Sequence, residues 1–141
     1  MLTNANGPAP IPSVWPLVAC RDARKVAAFL VDALGFEQLG LGEKDGIVTR
    51  AEMRWPVGVG GVVLREPHPS YPDLAEFRDA FPDGPSAVFL YAEDLGTLHQ
   101  RAQESGAEIL RPLVITSGGA QAFAVRDPEG NLWSIANRAL G

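Results

Sequence analysis

Few side chains in this chain of 141 residues have the chemistry of a catalytic or metal site: two histidines, one cysteine, and one arginine–glutamate pair. His68 lies in a proline-rich segment and His99 lies within a helical pattern, positions typical of surface or locally hydrogen-bonded histidines. Cys20 stands alone in an apolar strand pattern, which predicts a buried, inert thiol and excludes an intrachain disulfide. The sequence therefore favours structural roles for all three residues.

The charged pair lies on a segment that reads as a strand, residues 47–55. Arg50 and Glu52 are two residues apart, so both side chains are expected on one face of that strand. Two interpretations remain open: an acid–base pair inside a cleft, or an exposed ion pair with no role in chemistry. The opposite face is predicted to be largely apolar, formed by Ile47, Thr49, Ala51, Met53 and Trp55.

The elements that would position these side chains occur in two similar copies along the chain. Each copy reads as an apolar strand, an acidic helix start, a helix, a glycine stop and a second strand. The offset between the copies is 72 residues from Leu17 to Phe89, and 71 residues from Gly35 to Gly106. One copy has too little apolar surface for a good core, so two half-domains are expected to close a shared site.

The repeat predicts one domain with a β-α-β-β-β unit in each half. The expected parts are a loose arm at residues 1–12 and a single domain at residues 13–141, with module one at 14–65, a connector at 66–85 and module two at 86–137. The connector contains five prolines around a short helical pattern at residues 73–81.

Composition and charge narrow the class of partner. With 46% hydrophobic and 21% charged residues, the chain reads as a globular protein with a real core. A net charge of −5 argues against a nucleic-acid partner and slightly favours a cationic small molecule. No apolar stretch is long enough to span a bilayer, which predicts no membrane partner. Residues 1–12 lack the features of a signal peptide, which predicts a cytoplasmic protein.

A family resemblance rests on the duplicated openings and on the hairpin Phe-Ala-Val-Arg-Asp-Pro-Glu-Gly-Asn-Leu-Trp-Ser-Ile at residues 123–135. Over residues 14–137 the chain resembles the vicinal oxygen chelate superfamily, which groups glyoxalase I, extradiol dioxygenases and bleomycin-resistance proteins. The resemblance implies an α+β fold of two tandem βαβββ modules, whose curved mixed sheets form half-barrels with helices on the convex face. It also implies a ligand cavity on the concave side and a homodimer.

The same resemblance identifies where a metal would be held. Enzymes of this superfamily usually bind one divalent ion with His, Gln or Glu side chains on the first and fourth strands. Those positions fall on Trp15, Ala87 and Ser134, and near Leu64, where Glu66 is the nearest carboxylate. Trp and Ala cannot coordinate a metal and a neutral serine is a poor ligand. The resemblance therefore implies no metal site of the usual type and no cofactor.

Strand alternation indicates which side chains face the cavity. If Ser134 points inward, so do Leu132 and Ala136, while Trp133 and its alternating neighbours face the helices. Packing between the modules is a rival interpretation for Trp15 and Phe89. The expected ligand-binding residues are Trp15, Leu17, Arg50, Glu52, Phe89, Tyr91, Ala124 and Ser134.

Three functions remain open from the sequence. The leading hypothesis is a metal-free binding protein of the glyoxalase and bleomycin-resistance type, which sequesters an aromatic or cationic compound in a cleft and has no assigned catalytic residue. The alternative is a metal-dependent lyase or dioxygenase whose ion is held by residues such as His68, Glu66 or Glu52. A third is a degenerate member that only assembles with a partner chain.

Overall fold

The computed structural model describes residues 14–69 and 86–137, which form two four-stranded sheets and two helices. The first module contains β1 (Leu17–Ala19), α1 (Ala23–Phe29) continued by a π-helical turn (Leu30–Leu34), β2 (Glu37–Lys44), β3 (Ile47–Trp55) and β4 (Gly60–Arg65). The second contains β5 (Ala87–Tyr91), α2 (Leu95–Glu104), β6 (Glu108–Ile115), β7 (Gln121–Arg126) and β8 (Leu132–Ala136). The arm expected at 1–12 and the helical pattern at 73–81 lie outside the described residues.

The two sheets have the same topology. Their strand orders are β1-β4-β3-β2 and β5-β8-β7-β6, and in each sheet the first pair is parallel and the other pairs are antiparallel. This confirms the predicted α+β fold with two tandem βαβββ modules. Within the described residues the two sheets do not close into one barrel.

The π-helical turn explains why the repeat offset changes from 72 to 71. One more residue separates strand from glycine stop in the first module than in the second. A π turn closes its hydrogen bonds over five residues rather than four, so it accommodates one inserted residue without ending the helix. Both helices then stop at a glycine with φ of 81°, Gly35 and Gly106, a left-handed backbone conformation that glycine adopts readily.

A bulge in β3 corrects the predicted apolar face of that strand. Gly42 pairs with Arg50 and the next residue of β2 pairs with Val48, so Thr49 is an extra residue on β3. The bulge shifts the alternation, and Val48 is fully buried where Ile47 and Thr49 were expected. The rest of the predicted face is confirmed, since Ala51, Met53 and Trp55 are buried.

An aromatic cluster joins the cores of the two modules. The ring of Phe36 lies 4.9 Å from that of Trp55 and 5.7 Å from that of Trp133. Trp55 Nε1 also donates a hydrogen bond to the Tyr91 carbonyl oxygen at 2.8 Å. The core position predicted for Trp133 is confirmed, because its side chain is fully buried.

The prediction for the single cysteine is also confirmed in its burial. Cys20 is fully buried, and its thiol donates to the Val18 carbonyl oxygen at 3.5 Å. Among the described residues, no helix has the length and apolar character needed to cross a membrane.

Candidate functional site

The open face of the second sheet carries two exposed aromatic rings. Phe89 pairs with Ser134, which in turn pairs with Ala124, so these three side chains share one face. Tyr91 forms the neighbouring row with two alanines. Phe89 is 46% exposed and Tyr91 is 42% exposed, whereas Ala124 is 3% exposed. Small side chains therefore form the floor of this face, and the two rings present most of its apolar surface.

The open face of the first sheet is mostly charged. Leu17 pairs with Val63, and Val63 pairs with Glu52, so these residues share that face. Arg50 Nε lies 3.2 Å from Glu52 Oε1, with 60% and 34% of the two side chains exposed. At this exposure an ion pair contributes little to stability, and both groups remain accessible to a ligand.

Trp15 lies immediately before β1 and covers Gly61 of β4. A Cβ atom at Gly61 would come within 2.7 Å of Trp15 Cζ3 and 2.5 Å of the Met53 carbonyl oxygen. Only a glycine therefore allows this close approach. No sequence motif indicates Gly61, because its position beside Trp15 depends on the pairing register of the strands.

A cavity of about 320 Å³ lies between the edge of the first sheet and β5. Phe89 and Tyr91 line it from the second module. Gly61, Trp55 and Val59 line it from the first. Of the eight residues expected to bind ligand, these two aromatics are the ones in the lining, and Trp15 contacts the wall through Gly61. The volume is at the lower end of the usual range for small-molecule sites.

The positions that would hold a metal have poor donors in the structure too. Leu64 is fully buried in the core. The residue of β4 that corresponds to Ser134 of β8 is Val63. Val63 pairs with β1 in the same way as Ser134 pairs with β5. The four positions are thus Trp15, Val63, Ala87 and Ser134, of which only the serine has an oxygen donor in its side chain. These residues do not fit a catalytic divalent ion.

Two of the three alternative donors, Glu66 and His68, are engaged in other contacts, while Glu52 is paired with Arg50. Glu66 accepts hydrogen bonds from the backbone N–H groups of Ala23 and Val48, both at 2.8 Å. His68 Nε2 lies 3.0 Å from Asp45 Oδ2 in the β2–β3 turn. In residues 14–69 and 86–137, no three His, Cys, Asp or Glu side chains are grouped so that they could hold a metal ion.

Glu129 is a further residue whose role the sequence did not indicate. Its carboxylate accepts hydrogen bonds from the backbone N–H groups of Arg21 and Asp22 at 2.7 to 2.9 Å. The Asp-Pro-Glu-Gly-Asn hairpin of the second module therefore holds the chain just after β1. No local pattern could reveal this contact, because more than 100 residues separate the partners.

The comparisons with known proteins agree with this architecture. TioX from Micromonospora sp. ML1 is 25% identical, with a TM-score of 0.69 over 92% of this chain and 98% of that one. TnmS3, described as an antibiotic binding protein from Streptomyces sp. CB03234, is 19% identical, with a TM-score of 0.64 over 91% of this chain and 98% of that one.

A family member from Sphaerobacter thermophilus DSM 20745 is 19% identical, with a TM-score of 0.67 over 90% of this chain and 98% of that one. No curated protein matches the chain. The family model for the Glyoxalase/Bleomycin resistance protein/Dioxygenase superfamily matches residues 14–135. The chain belongs to this superfamily.

Proposed function

We propose that the protein binds a small aromatic or cationic compound in the cleft beside β5, without a metal ion, and acts by sequestering it. The observation that carries this proposal is that Phe89 and Tyr91 line the cavity beside β5 while each is more than 40% exposed. Aromatic rings left in water in a cavity are typical of a binding site, because a flat ligand stacks on them and removes apolar area from water. TnmS3, which shares the fold, is described as antibiotic binding, and this supports the same class of ligand here.

Charge favours a cationic ligand over an anionic one. On the charged face, Glu52 and Glu37 are each paired with an arginine, so these four side chains carry no net charge and the preference rests on the chain as a whole. The chain as a whole carries a net charge of −5, which attracts cations at long range. The Tyr91 hydroxyl supplies a polar group that would orient the ligand.

The side chains at the four mapped positions support binding without a metal. Trp15, Val63 and Ala87 have no metal-binding atom in their side chains, and Ser134 alone cannot hold a divalent ion. We therefore assign no catalytic residue and no cofactor.

A second copy of this chain is the proposed cover of the open faces. Leu17, Phe89 and Tyr91 are all more than 40% exposed, although each lies on a sheet face. A homodimer that places the charged face of one copy opposite the aromatic face of the other would enclose the ligand. Sedimentation equilibrium tests this arrangement: a dimer mass at micromolar protein is expected, and a monomer mass under those conditions would contradict it.

The function is tested by titrating the purified, chelator-treated protein with bleomycin-like glycopeptides and with flat aromatic cations while tryptophan fluorescence is recorded. At least one compound should produce a saturable change. Phe89→Ala should weaken that binding by about tenfold or more, because a buried aromatic contact contributes roughly 1.5 to 3 kcal/mol.

Ile115→Ala is the matched control. Ile115 is 73% exposed on the opposite face of the second sheet, so its truncation should leave the dissociation constant unchanged. Failure of every compound to saturate, or an equal loss in both variants, would count against a ligand site beside Phe89.

A further inference from the structure

A second cavity, of about 360 Å³, lies where the helices of the two modules meet. Trp55 and Val57 line both this cavity and the cleft, so they form a wall between the two. Leu34 and Leu98 add apolar surface from the two helical segments. This size and this mainly apolar lining are typical of a small-molecule site.

Two carboxylates stand on one side of this cavity. Asp94 begins α2, where it accepts hydrogen bonds from the backbone N–H and the hydroxyl of Thr97. These bonds lower the pKa of Asp94 below its ordinary value, so the group is ionised at neutral pH. Glu93 is exposed and makes no hydrogen bond or ion pair within the described part of the chain. The negative charge of Glu93 is therefore available to a ligand.

Arg101 is the cation of the cavity, and the protein already uses much of its hydrogen-bonding capacity. Its Nε donates to the Asp32 carbonyl oxygen at 3.0 Å and its Nη2 donates to the Val31 carbonyl oxygen at 2.8 Å. The guanidinium thus fixes the end of the π-helical turn against α2. Two carboxylates and one guanidinium leave the lining with a net negative charge.

We propose that this cavity is a second binding site, which takes a small primary amine bearing an apolar ring. The ammonium group lies at Glu93 and Asp94, where the charges attract it and Glu93 can accept its hydrogen bonds. The ring packs against Trp55 and Leu98, which keep it out of water. This site is separate from the cleft, because its charge comes from Glu93 and Asp94, which do not line the cleft.

The site is tested with phenethylammonium as the probe, added to ¹⁵N-labelled protein and followed by amide chemical shifts. Saturable shifts are expected at Gly35, Thr97 and Leu98. The neutral analogue 2-phenylethanol should bind about two- to fivefold more weakly, because an exposed ion pair contributes up to about 1 kcal/mol. Shifts confined to Phe89 and Ser134 would place the amine in the cleft instead and overturn the second site.

Glu93→Gln separates the charge from the apolar pocket. It should weaken phenethylammonium binding by about three- to fivefold and leave 2-phenylethanol binding unchanged. Glu104→Gln is the control, because Glu104 is an exposed acid at the far end of α2 that does not line the cavity. Equal affinity of Glu93→Gln and the unmodified protein for the amine, or no shift at millimolar amine, would overturn the proposal. A failure here leaves cleft binding intact, since Phe89 reports that site independently.

Discussion

Gly61 decides whether Trp15 can pack closely against the first sheet. A methyl group there would come within 2.7 Å of the Trp15 ring and 2.5 Å of the Met53 carbonyl oxygen. Gly61→Ala should therefore destabilise the protein by about 1 to 3 kcal/mol and displace the indole, since the backbone at Met53 cannot give way easily. Urea unfolding monitored by near-ultraviolet circular dichroism measures both effects.

Gly60→Ala is the matched control for that substitution. Gly60 is the adjacent residue of β4, and a Cβ atom there would meet nothing within 4 Å. Its free energy of unfolding should change by less than about 0.5 kcal/mol. If the two variants proved equally stable, Trp15 would not pack as the structure has it.

Asp94 gives the protein one defined acid-sensitive contact. Backbone and side-chain hydrogen bonds from Thr97 hold its pKa below the ordinary value of 3.8, so the ionised carboxylate stabilises the folded state. That contribution is complete above the unfolded pKa and is lost as pH falls through the lower folded pKa. In Asp94→Asn the side chain no longer titrates, so the difference in Tm from the unmodified protein should shrink below about pH 4. A difference that stayed constant from pH 7 to pH 2 would contradict this role.

One buried carboxylate holds the β7–β8 hairpin together. Asp127 is 4% exposed and accepts hydrogen bonds from the backbone N–H groups of Glu129 and Asn131, from Asn131 Nδ2 and from Trp133 Nε1, at 2.8 to 3.0 Å. Asp127→Asn keeps the shape of the side chain but replaces one carboxylate oxygen with an amide NH₂ group. That group would face two of these N–H donors instead of accepting their hydrogen bonds.

We expect that substitution to cost about 2 to 4 kcal/mol in the free energy of unfolding, because buried donors lose their acceptor. Asp32→Asn, at an exposed residue of the π-helical turn, should change the same quantity by less than about 0.5 kcal/mol. Denaturant titration of both variants measures the difference. Similar midpoints for the two would show that Asp127 does not organise the hairpin.

The elements could be predicted where local patterns decide them. Strand alternation correctly placed Trp133 in the core, and each helix ends at its glycine stop as the sequence indicated. The bulge at Thr49 could not be predicted, because the extra residue shows only in the register of β3 against β2. The residues on the exposed face of the second sheet could be inferred from the alternation of side chains along its strands. The cavity wall at Gly61 could not, because it depends on long-range packing.

Hydrogen bonds between the two modules hold the whole molecule together. The Trp55 indole donates a hydrogen bond to the Tyr91 carbonyl oxygen. The Glu129 carboxylate accepts hydrogen bonds from backbone N–H groups just after β1, and Arg101 donates hydrogen bonds to carbonyl oxygens at the end of the first helix. The cleft residues Phe89 and Tyr91 lie beside the first of these contacts. The relative position of the modules, and with it the width of the cleft, is therefore set by these long-range bonds.

Calorimetric titration with and without metal tests most directly whether the cleft binds its ligand alone. A compound that saturates the fluorescence change is titrated into chelator-treated protein and into protein supplied with Zn²⁺, Ni²⁺, Mn²⁺ or Fe²⁺. The dissociation constants should agree within about twofold, and no ion should be retained stoichiometrically after dialysis, because the residues that the structure describes include no group of three His, Cys, Asp or Glu side chains able to hold one. Binding that required a stoichiometric metal ion would contradict the proposed function.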